Sequence, residues 1–149
     1  MENSDILTKF KPQKENMLGI LHELQAANPY NYLTESDLKS VAEYLNTSYS
    51  HVYGVATYYT MFSIKPRGKY IIRICNSPVC NMNNSVSLAD EIRDLLGIDV
   101  GETTDDMLFT LEYTECLGRC DVAPSVMIAS DVYGSVTRES LVSIISKYK

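Results

Sequence analysis

Long hydrophobic runs and an apolar N-terminal segment are absent from this sequence. Residues Met1 to Lys14 are polar and mixed in charge, so they contain no secretory signal core. Elsewhere no apolar run approaches the roughly 20 residues that a membrane-spanning helix needs. We therefore expect a cytoplasmic protein without direct membrane insertion.

Basic residues are also scarce. The chain has 13 Lys and Arg against 19 Asp and Glu, which gives a formal net charge of -6. No cluster of basic residues offsets this excess, and an acidic surface is repelled by phosphates. Nucleic acid is therefore not an expected partner.

Several motifs of familiar chemistry are missing as well. No G-x-G-x-x-G fingerprint follows a strand, so nothing indicates that this chain itself binds NAD. No plausible nucleophile–base pair is present. The only histidines, His22 and His51, fall in the helical part and read as ordinary helix or surface residues, which excludes Rieske-type ligation and mixed Cys/His zinc sites near the cysteines.

What is present begins with three helical patterns in residues 1–68. Apolar residues recur at helical spacing between Lys14 and Ala27. Thr34, with an acidic residue three places on, is an N-cap for a second helix, and Ser48 or Ser50 can cap a third. At 149 residues and 45% hydrophobic content the chain can bury a real core, and we expect residues 1–68 to form a helical subdomain.

From Tyr70 the pattern changes to short strands. β-Branched and apolar runs predict strands at Tyr70–Ile74, Leu108–Tyr113 and Ser125–Ala129. The segment 131–134 reads as a hairpin turn, with Val136 beginning a return strand.

Two helices complete the prediction for residues 69–149. Asn84 or Ser85 can cap a helix that stops at Gly97, and Thr137 can cap a C-terminal helix. The fold class expected is α/β (α+β): an N-terminal helical bundle followed by a domain of thioredoxin-like element order, with its cysteines on loops at strand ends.

All four cysteines fall into two pairs, Cys75-Asn-Ser-Pro-Val-Cys80 and Cys116-Leu-Gly-Arg-Cys120. A 2Fe–2S cluster needs four thiolates, two on each iron, which two short pairs supply. A zinc site also accepts four cysteines. Disulfide or thiol-exchange chemistry is a third possibility, although the C-x-x-C exchange motif is missing. The spacing alone leaves all three open.

The residues around the pairs resemble a known family. The pattern Cys75-x4-Cys80, then Glu115-Cys116-Leu-Gly-Arg-Cys120 and Ala123-Pro124, is similar to the thioredoxin-like 2Fe–2S ferredoxin family. This is the E-type subunit of respiratory NADH dehydrogenase (complex I), with relatives in NAD-linked and electron-bifurcating hydrogenases and formate dehydrogenases. The resemblance extends upstream through Val52–Phe62 and covers nearly the whole chain.

The resemblance implies that Cys75, Cys80, Cys116 and Cys120 hold a 2Fe–2S cluster. It also implies a non-catalytic electron-transfer subunit, inactive alone, whose cluster exchanges single electrons with FMN. That FMN, and NAD, would be bound by a partner NADH-oxidising flavoprotein subunit, and through it electrons would pass to a larger iron–sulfur, hydrogenase or dehydrogenase subunit. The sequence leaves the parent complex open.

Two residues depart from the family pattern. Arg119 stands where a small residue is usual, and Asp121 stands where glycine is usual. Arg119 should favour reduction of an anionic cluster, and Asp121 should oppose it. If the position of Asp121 required a positive φ, aspartate would fit it less readily than glycine.

Four tyrosines of the helical part have two readings. These tyrosines are Tyr49, Tyr53, Tyr58 and Tyr59. They could anchor a docking interface, or they could be core residues on a helix face. The sequence favours the core position. Two alternative functions remain at this point. One is a zinc-stabilised interaction module without redox chemistry, and the other is a free-standing thioredoxin-like ferredoxin or redox sensor.

Overall fold

Two units make up the chain in the computed structural model, which describes residues 3–149. One unit ends at Arg67 and the other begins at Gly68. Each unit has a hydrophobic core of its own. Between Asn3 and Lys149 no helix is long and apolar enough to cross a membrane.

The first unit is helical. Its helices, within residues 3–67, are α1 (Asn3–Leu7), α2 (Met17–Ala27), α3 (Glu35–Tyr44) and α4 (Tyr49–Tyr58), with a 3-10 turn at Lys14–Asn16. The three predicted helices are confirmed as α2, α3 and α4. The sequence missed α1 because it is too short to show periodicity, and it is held by burial of Ile6 and Leu7 in the core.

Local capping explains where α3 begins. The N–H of Asp37 donates to Oγ1 of Thr34 at 3.1 Å, and the N–H of Thr34 donates to Oδ2 of Asp37 at 2.8 Å. This reciprocal capping box satisfies two of the N–H groups that a helix start leaves without partners. Behind it, Leu38 and Val41 are buried.

The second unit is built on a mixed sheet of order β2-β1-β3-β4. The strands are β1 (Tyr70–Cys75), β2 (Phe109–Thr114), β3 (Val126–Ile128) and β4 (Asp131–Tyr133). β1 pairs parallel with β2 and antiparallel with β3. A parallel pair needs a long crossover connection, and here it contains α5 (Pro78–Met82) and α6 (Ser85–Leu96).

The turn of the β-hairpin lies earlier in the sequence than predicted. Asp131–Tyr133 is strand β4 itself, paired antiparallel with β3, rather than a turn. The turn is the two residues before it, with Ala129 at φ 53, and Val136 is buried but lies outside the strands. Asp131 and Gly134 are residue types common in turns. However, the pairing of Ile128 with Asp131 places the turn between these two residues.

Two helices pack with this sheet in one hydrophobic cluster. Leu88 and Ile92 of α6 and Leu141 of α7 (Arg138–Ser146) join Ile72 and Ile74 of β1. Each fully buried side chain of this kind contributes about 1.5–3 kcal/mol. Helices followed by a mixed α and β unit confirm the predicted fold class.

Candidate functional site

The parallel pairing of β1 and β2 brings the two cysteine pairs to one edge of the sheet. Cys75 is the last residue of β1 and lies opposite Thr114, the last residue of β2. The N–H of Asn76 donates to the carbonyl of Thr114 at 2.9 Å, so the register continues past the strand end. Cys116 follows two residues after Thr114, and both pairs therefore leave the sheet at the same end.

The first pair is buried. Ser77 precedes α5, and Pro78 occupies its first turn, where the N–H that proline lacks would have no helical partner. This short helix, rather than the predicted loop, carries Cys80. Cys75 and Cys80 have almost no solvent exposure, and each thiol shifts the pKa of the other.

The second pair is exposed on a loop that runs from β2 toward β3. The Sγ atoms of Cys116 and Cys120 lie 3.8 Å apart, well beyond the roughly 2.05 Å of a disulfide bond. Two thiolates on one tetrahedral metal, with metal–sulfur bonds of about 2.3 Å, would lie about 3.8 Å apart. The spacing of this pair therefore fits two ligands of one metal.

Gly118 shapes that loop. It adopts φ +73, a left-handed conformation in which glycine carries no steric penalty. Its N–H donates to Sγ of Cys116 at 3.4 Å. N–H donors of this kind stabilise a negatively charged sulfur ligand.

Contacts between the loops join the two pairs. The backbone N–H of Leu117, from the second loop, lowers the pKa of the Cys75 thiol. Cys75 and Cys80 also interact electrostatically with Cys120. All four thiols therefore belong to one constellation.

The constellation consists of two pairs rather than one compact tetrad. Within residues 3–149, no three His, Cys, Asp or Glu side chains are already grouped so as to hold a single metal ion. A binuclear cluster distributes its thiolates over two irons. The pairs Cys75 with Cys80 and Cys116 with Cys120 match that distribution.

Hydrogen bonding and burial act in opposite directions on the pKa values of the thiols. Burial raises the pKa of Cys75, but the N–H groups of Ser77 and Leu117 and contact with Cys80 outweigh it, so the pKa is lowered. Burial and the neighbouring Cys75 raise the pKa of Cys80. The hydrogen bond with Cys116 raises the pKa of Cys120, and the nearby charges of Cys116, Cys75 and Asp121 add to this effect.

Arg119 and Asp121 are both exposed beside Cys120. Asp121 lies in a 3-10 turn, Cys120–Val122, and is not among the residues with positive φ. The backbone strain that the sequence suggested for Asp121 is therefore absent. The left-handed position of this loop is Gly118, three residues earlier.

Sequence reasoning missed Ser125, which lies against both cysteine segments. Ser125 directly precedes β3, is 1% exposed, and donates from Oγ to the carbonyl of Arg119 at 3.2 Å. Its carbonyl accepts the N–H of Cys75 at 3.2 Å, and its backbone N–H acts to lower the pKa of the Cys80 thiol. A polar residue at the start of a buried apolar run, Val126–Ile128, was the one available signal.

The structure shows where the histidines and the four tyrosines of the helical unit lie. His22 lies in α2 and His51 lies in α4. The prediction that the four tyrosines are core residues is wrong, because all four are exposed: Tyr49, Tyr53, Tyr58 and Tyr59. Tyr49 and Tyr53 stack at 5.9 Å between ring centroids on one side of α4, whose buried residues are Val52 and Ala56.

Comparison with known proteins identifies the family. Residues 3–149 match the family model described as thioredoxin-like [2Fe-2S] ferredoxin. The chain is 33% identical over 138 residues to the NADP-reducing hydrogenase subunit HndA of Solidesulfovibrio fructosivorans, covering 92% of this chain and 80% of that protein. It is 36% identical over 139 residues to the E-type subunit of the NADH-quinone oxidoreductase of Aquifex aeolicus, covering 93% and 86% respectively.

A solved structure shares the fold. An air-oxidized NAD+-reducing [NiFe]-hydrogenase contains a similar region, with a TM-score of 0.78 and 20% sequence identity over 89% of this chain. This chain spans 22% of that hydrogenase chain. The fold, the two cysteine pairs and the match across residues 3–149 show that this chain belongs to the thioredoxin-like [2Fe–2S] ferredoxin family, whose cofactor is a 2Fe–2S cluster.

Proposed function

We propose that this chain is the electron-transfer subunit of an NAD(H)-dependent multisubunit oxidoreductase. The observation that carries the proposal is the convergence of two cysteine pairs at the ends of β1 and β2, in a chain that matches its family from residue 3 to 149. A bound 2Fe–2S cluster would accept and release one electron at a time, exchanging it with FMN on a partner NADH-oxidising flavoprotein subunit.

The four cysteines are the proposed cluster ligands. Cys75 and Cys80 supply a buried pair, and Cys116 and Cys120 supply an exposed pair. The N–H groups of Leu117 and Gly118 are already directed at two of these sulfurs. Such donors would stabilise the more negative, reduced state of the site.

The role is non-catalytic, and the chain is not active alone. Relatives carry names of hydrogenase and NADH-quinone oxidoreductase subunits, which supports a place within a larger assembly. The proposed partner is a flavoprotein subunit that binds NADH and FMN, and through it a larger hydrogenase or dehydrogenase subunit. A cytoplasmic location is part of this proposal.

The surface beside Cys80 supports docking of that partner. Val79 and Met82 of α5 and Val86 of α6 are exposed, Met82 at 85%. From Asn76 to Ala89 the sequence contains no ionisable side chain except the Cys80 thiol, in a chain with 21% charged residues. Depletion of charge with exposed methionine is typical of an interface centre. We call Val79, Met82 and Val86 the apolar face of α5 and α6.

The helical unit supplies a second candidate surface. Its four exposed tyrosines include Tyr58, which is 80% exposed, and Tyr59, packed edge-on against it at 5.2 Å. Tyrosine is enriched where proteins bind each other, because the ring adds contact area and the hydroxyl remains hydrogen-bonded. We propose the helical subdomain, residues 1–68, as a docking module for the complex, and residues 69–149 as the cluster-binding domain.

Isolation of the intact assembly tests this function. The chain, tagged and expressed in its source cells, should co-purify with an FMN-containing subunit. NADH added anaerobically should then produce the EPR signal of a reduced 2Fe–2S cluster in this chain. Iron and acid-labile sulfide in equal amounts are expected in the purified chain.

Two outcomes would replace the proposal. Zinc without sulfide would identify a zinc-stabilised interaction module. A cluster-loaded chain that stays monomeric, and that NADH does not reduce in the presence of the neighbouring flavoprotein, would identify a free-standing ferredoxin or redox sensor.

A further inference from the structure

We infer that Ser125 is a positioning residue that holds the exposed cysteine loop against the buried cysteine pair and thereby raises the reduction potential of the site. The inference rests on the proposed cluster site, and it concerns the hydroxyl of this chain rather than a ligand. The backbone and the side chain of Ser125 together contact both cysteine segments.

The backbone of Ser125 connects to the buried pair. Its carbonyl accepts the N–H of Cys75 at 3.2 Å, which continues the antiparallel pairing of Ile74 with Val126. Pairing of β1 with β3 therefore sets the position of Ser125 independently of its side chain.

The side chain of Ser125 connects to the exposed loop. Its Oγ donates to the carbonyl of Arg119 at 3.2 Å, and Arg119 lies between Gly118 and Cys120. The same carbonyl accepts the N–H of Val122 at 3.2 Å, so it keeps one hydrogen bond if the hydroxyl is removed. Loss of the hydroxyl would therefore loosen the loop without leaving the Arg119 carbonyl unpaired.

The consequence for the site follows from the donors in the loop. Gly118, directly before Arg119, donates its N–H to Sγ of Cys116 at 3.4 Å. An anchored Arg119 carbonyl limits rotation of the Leu117–Arg119 backbone and keeps that N–H directed at the sulfur. N–H donors favour the reduced state of an iron–sulfur site, so a looser loop lowers the reduction potential.

The test compares three variants of the full chain, each loaded with iron and sulfide. Ser125→Ala removes the hydroxyl, and Ser125→Thr retains one. Thr110→Val is the matched control, because Thr110 is a buried β2 residue whose hydroxyl bonds Gly68 and Thr103 and touches no cysteine segment. Potentials are measured by EPR-monitored titration, and loss of the cluster to a chelator is timed.

Ser125→Ala is expected to bind the cluster, to have a lower reduction potential than the wild type and to lose the cluster several-fold faster. Ser125→Thr should restore both properties, and Thr110→Val should show lowered thermal stability with an unchanged potential.

Equal potentials in Ser125→Ala and wild type would overturn the inference, as would equal shifts in Ser125→Ala and Thr110→Val. Unfolding of cluster-free Ser125→Ala would also overturn it, because the hydroxyl would then hold the fold. Failure of the wild type to bind a cluster would instead refute the proposed function.

Discussion

The backbone N–H of Leu117 lowers the pKa of the Cys75 thiol, although the two residues lie on different cysteine loops. Cys75 ends a buried strand, whereas Leu117 follows the neighbouring strand. Because β1 and β2 are parallel, the two loops start at one edge of the sheet. This proximity supports the proposal that the two cysteine pairs form a single site.

Replacement of a cysteine of the exposed pair should destroy or badly distort the cluster. In Cys116→Ser a hydroxyl replaces the thiol, and a hydroxyl is a much poorer ligand for iron at neutral pH. We expect loss of most of the bound iron and sulfide, or a changed EPR signal of the reduced protein. Ser87→Ala, at an exposed residue of α6, is the control and should leave the signal unaltered. An unchanged signal in Cys116→Ser would remove Cys116 from the ligands.

A methyl group at Gly118 should destabilise the exposed loop. Nothing lies within 4 Å of the position a Cβ would take, so the cost is conformational and arises from φ +73. A left-handed conformation costs a non-glycine residue about 1–2 kcal/mol. Gly118→Ala should lower the free energy of unfolding by about 1 kcal/mol in chemical denaturation and speed cluster loss.

Gly54→Ala is the matched control for that prediction. Gly54 lies inside α4, also with nothing within 4 Å, but without a positive φ. Alanine is preferred over glycine in a helix interior by about 0.5–1 kcal/mol. Gly54→Ala should therefore stabilise the chain. If both substitutions changed the free energy of unfolding in the same direction, the conformational explanation would be contradicted.

The charges of Arg119 and Asp121 should shift the reduction potential in opposite directions. Reduction adds negative charge to the site, so Arg119→Gln should lower the potential and Asp121→Asn should raise it. Both side chains are exposed, so we expect shifts of about 20 mV that shrink as salt increases. Protein-film voltammetry at low and high ionic strength would measure them. Shifts of the same sign, or independent of salt, would refute the electrostatic explanation.

A charge on the apolar face of α5 and α6 should weaken docking without removing the cluster. Met82→Asp places a carboxylate where the proposed partner would exclude water, and central interface residues commonly contribute more than 1 kcal/mol. We expect at least a five-fold loss of co-purifying flavoprotein with iron content unchanged. Val142→Asp, at an exposed residue of α7, should have no such effect. Equal loss in both variants would mean that this face is not the docking surface.

The elements that position the site were predictable where the signals are local. The Thr34 and Thr137 capping boxes, the stop at Gly97 and the strand leading to Cys75 all depend on a few adjacent residues. Prediction failed where strand pairing or core contacts, rather than the local residue types, decide. The β3–β4 hairpin followed its strand register rather than its turn residues, and α1 is held by core contacts of Ile6.

The tyrosines of α4 illustrate a further limit. The sequence favoured a core position for Tyr59 on a helix face, but Tyr59 follows the last helical turn and is exposed. Which residues of an amphipathic helix are covered depends on the neighbouring helices, here α3. Periodicity alone defines the candidate face without giving its extent.

The sequence by itself determined the cofactor chemistry of this protein. The number, pairing and spacing of Cys75, Cys80, Cys116 and Cys120, with the residues beside them, indicate the family and its 2Fe–2S cluster. Only the tertiary structure decided that one pair is buried and the other exposed, and that Leu117 and Ser125 connect them. The physical reason is that strand register sets these contacts, and β1 aligns with β2 and β3 through hydrogen bonds between residues far apart in the chain.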